Sequence, residues 1–438
     1  MTTLIRSRAA SAHWRSTASD WLAAAVIFTL PWSTSATSIL IVAWLVVVVP
    51  SLDGQTVRQH LTTPAVYLPI VLWLTACVGM LWADVSWATR LDGLRAFHKL
   101  LLIPLLMIQF SRSENGLKVV SAFLLSSILL LFYSWASLKW PSLIWGRTTT
   151  VGRAPGVPIK DYIYQSLCFV LSVCVLIHLA ISMQRNRRYG FAIAACALVV
   201  LFLANMAYVA TARTALLLLP ILLLLVGYQR IGWRGSVALL TAAALLAGVA
   251  WATSPYLRER VDSLIQNTKH FDPNTTYFDP TDDTSETQRI DFWRKSIESI
   301  SEAPILGHGT GYIRDALADP RPEDKRAALV VGNPHNQTFA VGIQLGFVGI
   351  AILFAMWFAH AWLFVGSGWT SWLGFMVVLQ NIVASLFNSH LSDFTAGWLY
   401  VLGVGILGGT VLRSRRSHSA ARQIAKVGAP QELSHSNA

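Results

Sequence analysis

Charge is the scarcest property of this 438-residue chain: Asp, Glu, Lys and Arg together make up 13%, against 54% hydrophobic residues. So few charges cannot solvate a globular particle of this size, and the apolar residues come in long blocks rather than in a 3.6-residue rhythm. Cysteine is scarce as well, and the four present, Cys77, Cys168, Cys174 and Cys196, each fall inside an apolar block. That placement argues against a disulfide framework and against a thiolate metal centre. The chain also lacks a Gly-x-Ser-x-Gly elbow, which speaks against a serine hydrolase. It has no internal repeat, and no nucleic-acid motif accompanies its formal charge of +12.

What is present is a series of stretches long and apolar enough to cross a bilayer, which takes roughly 20 residues each. They lie near 20–34, 36–50, 64–82, 97–110, 117–138, 162–183, 190–208, 211–228, 235–253, 335–364, 371–388 and 395–413. The pattern predicts an all-α polytopic membrane protein of about twelve transmembrane helices. Basic residues cluster at four places: Arg6, Arg8 and Arg15 before the first span; Arg185, Arg187 and Arg188 between the sixth and seventh; Arg230 and Arg234 between the eighth and ninth; and Arg413, Arg415 and Arg416 after the last. With that span count all four clusters share one face, so both termini are expected in the cytoplasm. A signal peptide at the first span would leave an odd count and break this agreement, so the helix is expected to be retained. Residues 253–334 carry a net charge of −4 and the remainder +16, an asymmetry that suits topology and anionic lipid headgroups rather than nucleic acid.

Residues 1–414 are therefore expected to form the transmembrane domain, including a helical extracytoplasmic loop over 254–334, with 415–438 a disordered cytoplasmic tail. Two smaller segments share the loop's side. Residues 83–99 space Trp87, Leu91, Leu94 and Phe97 as an amphipathic interfacial helix, with Arg90, Arg95 and Lys99 interleaved. Residues 140–162 read as an irregular loop that carries Arg147, Arg153, Lys160 and Asp161. Within the large loop, 255–268 is predicted helical and 271–283 a turn-rich loop, and Ser285 begins a second helix with Arg289 in its first turn. Unpaired amides and the positive dipole end favour an anion there.

His335, in Pro334-His335-Asn336-Gln337, closes this polar loop and opens an apolar run. A histidine in such a place is either a satisfied helix-start residue or an imidazole placed to accept a proton near pH 7. Arg213 interrupts two apolar runs; an arginine at a span end snorkels to headgroups, whereas one held within a membrane marks a substrate path. Arg289, Arg147 and Arg153 can each be solvated or bind phosphate, and what raises all four is that they share the face of His335. His390 and Asp393 stand between the last two spans, as neighbours of this site or as a pair with each other. The loop over 31–35 has no acid, and Asp279, Asp282 and Asp283 lie among turn-formers, so chemistry without metal or cofactor is expected. A flippase would carry charge deep within several spans, where this chain is mostly apolar.

Together these residues resemble the O-antigen ligase and polymerase superfamily of bacterial inner-membrane glycosyltransferases. His335-Asn336, nine residues and Gly346 match its His-[Asn/Ser/Gln]-x9-Gly signature. Thr211-x-Arg213 resembles its small-residue-Arg motif, and Arg289-x-x-x-Trp293 with Pro304, Gly307 and Gly309 resembles its periplasmic-loop pattern. The resemblance implies a GT-C-like fold in the inner membrane and an active site facing the periplasm. It further implies an inverting transfer of a glycan from undecaprenyl diphosphate to a hydroxyl, with His335 as general base. Arg213 and Arg289 would bind the diphosphate, with Arg147, Arg153 and Asn336 as further substrate contacts. Within the superfamily the single dominant loop and the absence of a large soluble C-terminal domain favour a ligase acting on lipid A–core oligosaccharide. An O-antigen polymerase and a protein O-oligosaccharyltransferase are the alternatives.

Overall fold

Apolar runs that must satisfy their backbone without water fold as helices, and the computed structural model of the protein is helical with no strand among the described residues. These are residues 2–143, 155–209, 212–255, 258, 262, 285–318, 332–366 and 368–427. The first half holds α1 (Thr2–Thr29), α2 (Thr34–Val48), α3 (Gly54–His60), α4 (Pro64–Gly79), α5 (Trp87–His98), α6 (Leu102–Phe110), α7 (Gly116–Lys139) and α8 (Tyr162–Arg185). The second holds α9 (Tyr189–Tyr208), α10 (Arg213–Ile231), α11 (Trp233–Thr253), α12 (Ser285–Glu302), α13 (Ile313–Leu317), α14 (Gln337–Leu363), α15 (Trp369–Ala384) and α16 (Phe394–Val427).

A helix accompanies each of the twelve expected stretches, but among the described residues eight helices are long and apolar enough to cross a membrane, or nine if α3 and α4, bent by 93°, count as one span. Two of the other stretches fall short because hydropathy is blind to helix breaks. In the stretch over 97–110, a 3-10 turn at Lys99–Leu101 leaves α6 only nine residues, about 14 Å of helix against a hydrocarbon core of about 30 Å. The helix α15 stops at Ala384 after 16 residues. At the other extreme α16 runs past the expected boundary at 414 to Val427.

The bundle has a centre and a rim. In α16, 83% of the membrane-length window is buried, against 17% in α11. Around α16 pack α6, α7 and α15. Some polar residues within the bundle are held by hydrogen bonds that offset the loss of water. Asp20 of α1 accepts from Gln109 Nε2 at 2.8 Å, Ser113 Oγ at 2.6 Å and Asn115 Nδ2 at 2.8 Å, tying α1 to the α6–α7 turn. His360 is a satisfied core histidine, held by Tyr400 Oη at 2.6 Å and the Ala65 carbonyl at 2.9 Å.

The two ends of the bundle differ in chemistry. At one end Arg413 pairs with Glu114, Arg112 with Asp53, and Arg185 donates to the Arg230 carbonyl. The other end gathers the starts of α8, α10, α14 and α16. Lys160, just before α8, donates to Thr395 Oγ1 of α16 at 2.8 Å, and the Ala212 amide before α10 donates to Ser166 Oγ of α8 at 3.1 Å.

Candidate active site

The site begins with how α14 starts. Asn336 is its N-cap, with Oδ1 accepting from the amides of Thr338 at 2.9 Å and Phe339 at 3.2 Å, an arrangement that satisfies two orphan donors of the first turn. Its Nδ2 donates to the Leu386 carbonyl at 3.2 Å. Asn336 thus joins the helix start to the turn between α15 and α16, and the Gln337 amide adds a 2.9 Å bond to the Ser385 carbonyl. His335, one residue earlier, has φ of +52°, a left-handed conformation that costs a non-glycine residue about 1 kcal/mol or more. Its amide donates to Asn333 Oδ1 at 2.9 Å. The polar Asn333-Pro334-His335-Asn336 corner is therefore held from both sides.

The imidazole is oriented by Asn388, a residue that sequence reasoning had not singled out. His335 Nδ1 lies 3.1 Å from Asn388 Oδ1. The orientation of that amide is fixed independently: its Nδ2 donates to Asp393 Oδ2 at 2.8 Å, and its Oδ1 accepts from the Ser389 amide at 3.0 Å and Asn333 Nδ2 at 2.9 Å. A carboxylate only accepts and a backbone amide only donates, so the oxygen must face His335. Nδ1 is then the donor, and a neutral imidazole carries its lone pair on Nε2. Nε2 makes no hydrogen bond among the described residues. Burial and the charge of Arg289 push the His335 imidazole below its usual range, while the Asn388 hydrogen bond and Asp393 oppose this. The neutral, basic form is thereby favoured at pH 7.

Two lysines brace the turn that carries Asn388 and Asp393. Buried Lys99 donates to the carbonyls of Ser392 at 3.2 Å and Asp393 at 2.7 Å. From the other flank Lys160 bonds Thr395 and the Leu30 carbonyl, and burial draws its ammonium down to about 8. His390 is buried, with Nδ1 3.3 Å from Asp393 Oδ2 but not in hydrogen-bond alignment. His390 and Asp393 thus adjoin without a hydrogen bond between them, and Asp393 connects to His335 through Asn388.

The spacing from His335 to Gly346 has a structural cause. Gly346 has φ of +59° and breaks α14, which frees backbone groups on both sides of the break. The segment after α12 pairs with them: the amides of Phe347 and Val348 donate to the carbonyls of Pro304 at 2.7 Å and Ile305 at 3.2 Å. The carbonyls of Ile343 and Gln344 accept from His308 and Gly309 at 2.9 Å each. A Cβ on Gly346 would stand 2.4 Å from the Ile305 carbonyl, and one on Gly307 would stand 2.5 Å from the Leu345 amide. This seam lays α12 along the first half of α14. Phe292 then faces the His335 ring, with centroids 6.1 Å apart and planes at 25°, and Trp293 meets Phe339 edge-on at 6.0 Å.

Of the arginines expected to converge, Arg289 is close enough for its charge to act on His335. It is the fifth residue of α12, so it begins the second helical turn and not the first. Arg213 is the first residue of α10, at the same end of the bundle as His335, and its side chain lies outside the described residues, as do Thr211, Arg147 and Arg153. So do the acids at 279, 282 and 283 and most of the expected helix and loop over 255–283. The amphipathic helix over 87–98 is present, with Leu94 and Phe97 buried and Trp87 and Leu91 exposed. The signal for Lys99 was legible as a lone cation entering an apolar run; Asn388 left none, since a neutral amide at a span end is commonplace.

No curated protein matches the chain. Residues 197–354 match a family model described as O-Antigen ligase, a segment that contains Arg213, the α12 helix with Arg289, the glycine seam and His335 with Asn336. Over this segment the chain is similar to the O-Antigen ligase family.

Proposed function

We propose that the protein is an O-antigen ligase that transfers a glycan from undecaprenyl diphosphate to a hydroxyl of lipid A–core oligosaccharide at the periplasmic face of the inner membrane. The observation that carries this reading is the tautomer of His335: Nδ1 donates to Asn388, and Nε2, which makes no hydrogen bond among the described residues, is the basic nitrogen beside the charge of Arg289. In the reaction Nε2 takes the acceptor hydroxyl proton while that oxygen forms a bond to the anomeric carbon. The bond from this carbon to the diphosphate oxygen breaks, and its electron pair departs with undecaprenyl diphosphate, inverting the configuration. Arg289 and Arg213 neutralise the charge that grows on the leaving group, with Arg147 and Arg153 as further contacts. Asn336 holds the helix start against the 385–386 turn and so keeps the imidazole in register.

The proposed chemistry draws its positive charge from guanidiniums and asks for no metal. Purified protein, lipid-linked glycan and lipid A–core, mixed in buffer with a chelator, should yield ligated product. An unchanged glycan under these conditions, with folded protein, would overturn the proposal. Polymerised glycan without transfer to lipid A–core would point to the polymerase branch instead.

A further inference from the structure

A cavity of about 250 Å³ adjoins the residues that hold His335. Its walls include Asp92 of α5, Arg314 of α13, Asn333, and Ser389, Ser392 and Asp393 from the turn before α16. At about 30 Å³ per water it has room for roughly eight waters, the scale of one pyranose ring with its hydroxyls and not of a longer glycan. Ser389 is 1% exposed, yet its Oγ has no hydrogen-bond partner among the described residues. A buried hydroxyl left unpaired beside a polar cavity is a group in need of a ligand.

We propose that this cavity is a carbohydrate subsite that takes one uncharged sugar unit of a glycan substrate through its ring hydroxyls; the proposal rests on the glycosyltransferase reading above. The charges select for a neutral ligand. Asp92 accepts from Arg95 Nη1 at 3.1 Å, and its other oxygen lies 4.0 Å from Arg314 Nη2. Asp393 adds a second carboxylate to the lining. These carboxylates accept strongly from hydroxyls and, with Arg95 and Arg314 beside Asp92, leave the charges of the lining largely offset, while Asn333 and Arg314 supply donors. Ala96 and Ile313 offer apolar surface for the ring's CH faces. Asn333 and Asp393 both bond Asn388, the partner of His335, so a sugar seated here touches groups that hold the base in place.

The sugar can belong to the donor glycan or to the acceptor core, and binding distinguishes them. Full-length protein is titrated with core oligosaccharide freed of lipid A, with the donor glycan freed of its lipid diphosphate, and with inorganic diphosphate. Asp92→Asn removes one charged acceptor, and Ser392→Trp fills the mouth from an exposed position. Each variant should weaken one of the two free glycans by about tenfold or more, with diphosphate binding and melting temperature unchanged, and the affected glycan names the source. The proposal is overturned if wild-type protein binds neither glycan, if folded variants bind both as wild type does, or if diphosphate binding falls instead. The ligase reading is judged separately by product formation: failure of wild-type transfer defeats that reading, whereas normal transfer with unaltered glycan binding in both variants defeats the subsite alone.

Discussion

Arg289 and Asn388 press on His335 in opposite directions, and removing each should move the pH dependence of transfer in opposite directions. Burial and Arg289 lower the imidazole pKa from 6.5, whereas the Asn388 hydrogen bond raises it. In the wild type the acid limb of kcat/KM therefore falls below pH 6.5, and the base form dominates at pH 7. The Arg289 guanidinium disfavours a second positive charge on the imidazole. Arg289→Gln removes that repulsion and should raise the limb. Asn388→Ala loses the hydrogen bond that favours the imidazolium, so the limb should descend. The plateau should also fall, on the order of 10- to 100-fold, because nothing then fixes the tautomer or the ring. The assay is initial-rate ligation by purified protein across pH 5 to 8, with folding checked at each pH. If both variants lose rate but keep the wild-type limb, His335 is not the titrating base and the tautomer argument fails.

Other consequences follow from the same contacts. Lys99→Met strips two carbonyls of their donor and should lower stability by about 1 to 3 kcal/mol. It should also depress transfer, with partial rescue by Lys99→Arg; a variant that melts and transfers as wild type would remove Lys99 from the bracing of the turn. Gly346→Ala places a Cβ against the Ile305 carbonyl in a left-handed backbone. It should therefore loosen α12, visible as faster proteolysis near residues 303–309 and loss of transfer, and unchanged proteolysis would refute the seam. Prolonged chelation should leave the ligation rate intact, and restoration by added magnesium after a loss would show that the guanidiniums do not suffice.

The helices were legible because hydropathy and basic flanks follow directly from the bilayer as solvent. What hydropathy missed was where helices break: the 3-10 turn at Lys99 shortens α6, and Ser385 caps a short α15, although both stretches are largely apolar. His335, Asn336 and Gly346 were singled out by the resemblance, whose signature they match, and the structure gives their spacing a cause in a helix cap followed by a stitched break. Asn388 and Lys99 could not be read as partners. They meet His335 and Asp393 across 53 and 294 residues of chain, through contacts that only packing creates. Arg289 sits on the helix that the motif suggested, one position deeper than its first turn.

The most direct measurement is ligation by purified His335→Ala protein under conditions where the wild type completes transfer, with binding of both substrates measured alongside. Loss of the general base should lower the rate by about 10²- to 10⁴-fold while lipid-linked glycan and lipid A–core still bind and the protein melts as wild type. A folded His335→Ala protein that transfers at a near-normal rate would contradict the assignment of His335 as the base.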